Sequence, residues 1–410
     1  MMDNIETEAW REAYQKYSLK LSLSEADNIV NLQNVFTHYE LCYDIIRKLE
    51  SYCDKMSDKE FCVLNLEFAE VLIYDFGVNK DKITFITDSE HKKAFAESDR
   101  YKGIKVRLVQ YNELLREKNN MKFDVVIMNP PYQSRTNKSD SDKGSGSRNT
   151  IWQNFVEYGL KIINDNGFLC SIHPPRWRKP EDKTGTLMKK QQIHYLEMHS
   201  KPDGVKTFGC QTPYDWYILQ KKMPYKESTV VTYSKKVSKV NLLDFEFLPS
   251  EHIGIISRIV NNDFKENIDV IYNRSAYAPD KKWMSPTQSK IYYLPCIHSI
   301  HASGKIRTFW SSKYNGNGLG VKKIIIPDIE MPNPILDLKG EFGLTCHTFG
   351  IKIKSKKEGE LIISAIKSEK FKKIIMSTKW SSFQTEWRMF KYFRKDFWKE
   401  FVDENGNEIV

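Results

Sequence analysis

Residues 123–132 read Phe-Asp-Val-Val-Ile-Met-Asn-Pro-Pro-Tyr, an apolar run that ends in an amide, two prolines and an aromatic ring. An amino nitrogen attached to an aromatic base is a poor nucleophile, because its lone pair is delocalised into the ring. The side-chain carbonyl of Asn129 and the backbone carbonyl of Pro130 could bind its two hydrogens. They would draw the nitrogen toward tetrahedral geometry and stabilise the positive charge that develops as it attacks an electrophilic carbon. Pro130 and Pro131 restrict the backbone that carries these acceptors. Tyr132 offers a face for the base to stack on, which matters because extracting a base from a duplex costs about a few kcal/mol. The competing reading is a plain turn after a buried strand. The strand before the motif and the helical stretch after its loop favour chemistry.

Such a motif needs a scaffold, and the flanking pattern supplies one. Short β-rich runs at Phe61–Leu66, Ile83–Thr87, Val106–Val109, Phe123–Met128, Gly167–His173, Tyr195–His199 and Tyr214–Gln220 alternate with helical stretches such as Ile151–Ile163. Alternation of this kind predicts a parallel sheet with helices on both faces, an α/β domain whose ligands sit at the carboxyl ends of the strands. Residues 1–60 read as helical, with apolar spacing in Trp10–Leu21 and Leu41–Tyr52. Ser134–Arg148 is a polar low-complexity loop, expected to be mobile. The alternating region closes near Lys221–Glu227, giving expected domains of 1–60, 61–224 and 225–410. The last is irregular, mixed α+β, with a strand at Lys323–Pro327 and helix over Gly359–Ile375.

The 410 residues suit two domains. No apolar run reaches the ~20 residues of a membrane span, and the acidic, polar start does not resemble a targeting peptide, so a cytoplasmic protein with no membrane partner is expected. Seven scattered cysteines and nine histidines without ligand spacing predict reduced thiols and no metal site. Residues 1–224 carry 33 Lys+Arg against 32 Asp+Glu, whereas 225–410 carry 30 against 21. The excess of positive charge therefore falls after the alternating region, where a polyanion would be met.

With the motif, order and charge in hand, the chain resembles the adenine-specific DNA methyltransferases of restriction–modification systems. The resemblance covers about the first 220 residues, with target recognition last. It implies a Rossmann-like S-adenosylmethionine-dependent fold and site-specific methylation of the amino group of a flipped adenine in double-stranded DNA. Asn129, Pro130, Pro131 and Tyr132 would be the catalytic motif. Phe36 and Thr37, in Val35-Phe36-Thr37-His38, match the segment that touches the methionine end of the cofactor, with His38 where proline is usual. Asp88 matches the acid that holds the ribose hydroxyls, and Asn112 the residue near the cofactor's adenine. The glycine-rich loop of the family is replaced by Asn65-Leu66-Glu67, so Asn65 and Glu67 are expected to rebuild it, or a partner subunit to complete it. Phe208 matches the second aromatic that encloses the flipped base.

Arg176, Trp177 and Arg178, after the fifth strand, suit phosphate and base contacts, as do Lys379, Trp380 and Arg388 in the basic region. Two further readings stay open beside the leading one. The first is a non-catalytic DNA-binding subunit with a degenerate cofactor loop; the second is an amino-methyltransferase of RNA or protein.

Overall fold

The computed structural model describes residues 37–117, 121–134, 149–223, 229–261, 263–301, 303–329, 333–380 and 384–409. Phe36, the expected helix Trp10–Leu21 and the loop residues 135–148 lie outside this set. The chain forms two units. One takes residues up to Trp177 together with 183–242; the other takes 178–182 together with 243–410.

The first unit is built on a nine-stranded sheet of β1 Phe61–Val63, β2 Ile83–Thr87, β3 Lys105–Leu108, β4 Phe123–Met128, β5 Ile163–His173, β6 Gln192–His199, β7 Tyr214–Gln220, β8 Thr229–Tyr233 and β9 Lys236–Val240. Their order is β9-β8-β6-β7-β5-β4-β1-β2-β3. Neighbours from β3 across to β5 are parallel, and β7 runs antiparallel to both β5 and β6. Every residue of β1 and β2 is buried, which is why these strands read as unbroken apolar runs rather than alternating ones.

Helix α1, Tyr39–Glu50, buries Leu41, Cys42, Ile45, Ile46 and Leu49 along one stripe and joins the core that includes β1, β2 and β4. The connections after β1, β2, β3 and β4 contain α2 Leu66–Tyr74, α3 Glu90–Ala96, α4 Tyr111–Leu114 and α5 Trp152–Ile162, and α6 Lys183–Lys189 and α7 Lys201–Phe208 follow β5 and β6. Register sets Val63 beside both Phe85 and Ile127, so β1, β2 and β4 end within two residues of one another. Since β2 and β4 lie on opposite sides of β1, the connections leaving β1 and β4 diverge and leave a crevice at the carboxyl ends.

The second unit is mixed α+β. One sheet orders β10 Val270–Ile271, β17 Thr348–Lys352, β14 Lys323–Pro327 and β15 Ile335–Asp337; the other orders β11 Met284–Ser285, β13 Ile306–Ser311, β12 Leu294–Ile300 and β16 Gly343–Leu344. Helices α8 Ile253–Ile259, α9 Lys356–Lys367 and α10 Glu369–Ser377 complete it. Lys323 and Asp337 pair across β14 and β15 with side chains 0% and 1% exposed. Lys323 Nζ also donates to the carbonyls of Gly318 at 2.8 Å and Val321 at 3.3 Å. Asp337 accepts from the backbone N–H groups of Glu341 and Phe342.

The expected cut at 224/225 is displaced, because β8 pairs with β6 and carries β9 with it into the first sheet. With the units as they fold, the second holds 28 Lys+Arg against 22 Asp+Glu and the first 35 against 31. Much of the anticipated asymmetry therefore disappears. All seven cysteines are free thiols. Among the described residues no helix is long and apolar enough to cross a membrane, and no cluster of His, Cys, Asp or Glu could hold a metal ion.

Candidate active site at the carboxyl ends of the strands

Asn129 follows β4 directly and is 2% exposed. Two of its three polar groups are fixed. Its backbone N–H donates to Asn65 Oδ1 at 2.7 Å, and its Nδ2 donates to Thr37 Oγ1 at 3.1 Å. The third, Oδ1, is buried with no hydrogen-bond partner among the described residues. A buried acceptor left unmet costs about 1–3 kcal/mol, which a donor brought to this carbonyl would recover.

The anchors are themselves anchored. Thr37 is fully buried, and its N–H donates to Glu67 Oε1 at 3.3 Å. Its carbonyl accepts from Cys42 Sγ at 3.8 Å. Asn65 is placed by the β1–β4 ladder, which continues through Leu64 N–H to the Ile127 carbonyl at 3.2 Å. Asn65 stands at the N-cap of α2 in extended conformation, φ −130° and ψ 127°. This turn takes no left-handed backbone at all, which is the physical reason it folds without glycine. His38, in the position where proline is usual, has φ −56°, close to the angle a proline ring would impose.

Asp88, half-buried, stands just past β2. Tyr111, 2% exposed at the start of α4, has its hydroxyl pKa pushed well up by burial, with the negative charges of Asp88 and Glu67 adding to the effect. Both carboxylates thus act on one spot at the ends of the central strands. Asn112 does not join them. It is exposed and lines a separate groove of about 470 Å³ with Arg116 and Glu157. Tyr111 is the residue that the sequence reading missed, and its signal was a buried aromatic opening the helix after β3.

Pro130 and Pro131 are buried, and Tyr132 is partly buried with its hydroxyl unpartnered among the described residues. Burial pushes that hydroxyl pKa well up, with Cys210, Tyr214 and Asp215 adding smaller effects in the same direction. Tyr214 stacks on His199 at 4.2 Å and meets Phe208 edge-on at 4.9 Å. Phe208 is half-buried against the same core.

Beyond β5 the residues expected to face DNA divide. Arg176 is exposed, but Trp177 is fully buried, and its indole N–H donates to Asp215 Oδ2 at 2.9 Å. Trp177 belongs to an aromatic group in which His173 stacks on Trp152 at 4.1 Å and lies 3.3 Å from the Tyr217 hydroxyl. Arg178 lies in the second unit, 3% exposed, with its carbonyl accepting from Leu248 N–H. Trp380 is likewise 2% exposed, and its indole N–H donates to the Leu248 carbonyl at 2.8 Å. Burial removes Trp177, Arg178 and Trp380 from any surface contact. Lys379 is part-exposed, and Arg388 pairs with Glu386 at 2.8 Å and Glu181 at 3.5 Å.

Residues 7–199 match the model of the Eco57I restriction-modification methylase family. Residues 7–199 are thus similar to a restriction–modification methylase domain. The fold is the Rossmann-like one of the S-adenosylmethionine-dependent methyltransferases, read directly in the strand order β3-β2-β1-β4-β5-β7-β6 with β7 reversed. Among solved structures, this chain is similar to the type IIG restriction endonuclease BpuSI at 10% identity, covering 89% of this chain and 60% of that one, with a TM-score of 0.40. It is similar to the methyltransferase subunit of a type I system from Streptococcus thermophilus at 13% identity, covering 50% of each chain, with a TM-score of 0.36. The M protein of the type I enzyme EcoKI aligns at 13% identity over 58% of this chain and 59% of that one, with a TM-score of 0.35. This chain thus spans 50% to 60% of these three chains. No curated protein matches its sequence.

Proposed function

We propose that this chain transfers a methyl group from S-adenosylmethionine to the exocyclic amino group of an adenine flipped out of duplex DNA, at sites its second unit selects. The observation that carries this reading is the Asn129 side chain, whose amide nitrogen and backbone are tied down while its carbonyl oxygen is buried and unmet. An acceptor in that state suits a hydrogen of an aromatic amine. Paired with the Pro130 carbonyl, it stabilises the cationic nitrogen only as the new bond forms, so the motif favours the transition state over the ground state. No base is needed early, since the proton leaves after the methyl group has arrived. Tyr132 would stack on the extruded ring, and Phe208, against Tyr214, would close the other side.

The donor set fits the cofactor. Glu67 and Asp88 supply carboxylates, which suit a ligand bearing a sulfonium cation, an ammonium group and ribose hydroxyl donors. When bound, S-adenosylmethionine supplies the electrophilic methyl group. Asp88 would hold the ribose hydroxyls, while Thr37 and Glu67 keep the segment before α1 in place beside Asn129.

The decisive experiment incubates the purified chain with S-adenosylmethionine and duplex DNA of mixed sequence, then digests the DNA and measures N6-methyladenine by mass spectrometry. Methylated adenine confined to one sequence context is expected. Methylation of RNA or protein alone would overturn the DNA reading.

A further inference from the structure

The second unit contains a cavity of about 230 Å³ beside the end of β14, smaller than the about 300 Å³ at which drug-sized pockets begin. Two of its lining residues are buried with an unmet polar atom. Asp328 is 8% exposed and Thr385 4%, and neither Asp328 Oδ1 nor Thr385 Oγ1 has a hydrogen-bond partner among the described residues. They are neighbours, because Ile329 and Gln384 form an antiparallel bridge and Thr385 N–H donates to the Asp328 carbonyl at 2.5 Å. The other oxygen of Asp328 lies 3.3 Å from His347 Nδ1.

One wall of the cavity is the stacked pair Tyr272 and Trp387, 4.4 Å apart at 29°. Arg274, also lining it, is exposed and makes no ion pair with any described carboxylate. Lys179 pairs with Glu386, and Arg388 with Glu386 and Glu181, so Arg274 is the lining cation left to meet an anionic group beside the cavity.

We propose that this cavity binds a single nucleobase with an exocyclic amino group, presented on a DNA strand, Asp328 accepting from the amino group and Thr385 donating to the adjacent ring nitrogen. Adenine and cytosine both offer an amino donor beside a ring acceptor. Thymine would set a carbonyl oxygen against the carboxylate, and that repulsion supplies discrimination as well as the missing attraction. Arg274 would take the phosphate next to the base, which adds affinity but no sequence preference. Burial raises the Asp328 carboxyl pKa while His347 pulls it down, consistent with a carboxylate that lacks a full set of donors.

The inference rests on the reading of the protein as a DNA enzyme, but its test does not pass through the methyl-transfer site. Fluorescein-labelled oligo(dC), oligo(dA) and oligo(dT) of about twelve nucleotides, within the range that strand-binding grooves cover, are titrated with the full-length protein and followed by anisotropy. Oligo(dC) and oligo(dA) are expected to bind about tenfold tighter than oligo(dT). Thr385→Val and Asp328→Asn should each shrink that ratio to about twofold or less, whereas Arg274→Gln should weaken all three strands alike. Circular dichroism melting reports whether each variant folds, and two independent variants guard against the loss of one.

Equal wild-type affinities for the three strands would overturn the assignment, as would a preference that survives in both Thr385→Val and Asp328→Asn. Free dCMP displacing oligo(dC) at equal affinity would overturn the strand as the source and leave a nucleotide site. A preference removed by these variants in a chain that methylates no DNA would sink the proposed function and keep the cavity. Methylation without the preference would do the reverse.

Discussion

At the scale of single residues, Asn129 combines a structural and a chemical task that can be separated. Asn129→Ala removes the bond to Thr37, a loss of about 0.5–1.5 kcal/mol, and also removes a buried acceptor whose desolvation is unrepaid at about 1–3 kcal/mol. The two changes oppose one another, so denaturant unfolding should show stability altered by about 1 kcal/mol or less. Methyl transfer should fall by about a hundredfold to a thousandfold or more, the usual effect of deleting one preorganised partner of developing charge. A variant that unfolds readily, or that keeps near wild-type turnover, would contradict this division.

His173 gives a second residue-scale expectation. Complete burial pulls its pKa down from 6.5 to about 3, so in the folded chain the ring stays neutral between pH 6.5 and about 3 while the unfolded chain takes up a proton. The unfolded state binds more protons in that window, and stability must fall as pH drops through it, by roughly 1.4 kcal/mol per pH unit from this group. His173→Phe keeps a ring on Trp152 but cannot titrate. Between pH 6.5 and 5 it should lose about 2 kcal/mol less stability than the wild type. Equal losses in the two proteins would mean that the ring protonates in place.

At the scale of elements, much of the first unit was legible. Ile83–Thr87, Phe123–Met128 and Tyr214–Gln220 are strands with the bounds their composition suggested, because each is an unbroken β-rich run between polar residues. The turn after β1 was harder. A search for glycine assumes left-handed backbone, whereas here an extended Asn65 turns the chain and its side chain, not its backbone, reaches the motif. Trp177 and Trp380 misled for a different reason. Neighbouring arginine and lysine made them resemble surface aromatics, but each indole has a buried acceptor that only the tertiary structure reveals. The helix expected over Gly359–Ile375 is two helices, because Ser368 Oγ accepts from Phe371 N–H and starts a new one. Serine is a favoured helix N-cap, and here that preference overrides an apolar period that runs on through it.

The β14–β15 pair carries its own expectation. Lys323→Met alone would strand Asp337 in the core and should cost about 3–5 kcal/mol. The double variant Lys323→Met with Asp337→Leu should recover most of that loss, since two apolar groups leave no buried charge to compensate. Chemical denaturation of the single and double variants measures both numbers. A double variant as unstable as the single one would show that the loop carbonyls and amides around the pair, not the charges, hold the strands.

At the scale of the whole molecule, the second unit recruits residues 178–182 from between β5 and β6. Glu181 pairs there with Arg388 and Lys391, and Lys179 with Glu386. Expressed alone, 243–410 would lack these partners and the Arg178 carbonyl that accepts from Leu248 N–H. The fragment should therefore unfold at lower denaturant than the same unit within the full chain, by an amount that fluorescence of its own tryptophans can report. Coincident midpoints would show that the excursion adds nothing. The first unit carries a net charge of +4 and the second +6, so the positive excess is shared between them.

That short excursion also bears on how such a protein could change its specificity over time. If the second unit chooses the site, a single crossover at 242/243 would import a new reader without the five residues that lie within the first unit's stretch of chain. A workable exchange needs matched breakpoints on both sides of 178–182 as well, three joints where a tail-fused module needs one. Recombination should find this architecture hard to shuffle, leaving point substitution within the second unit as the easier path to a new target.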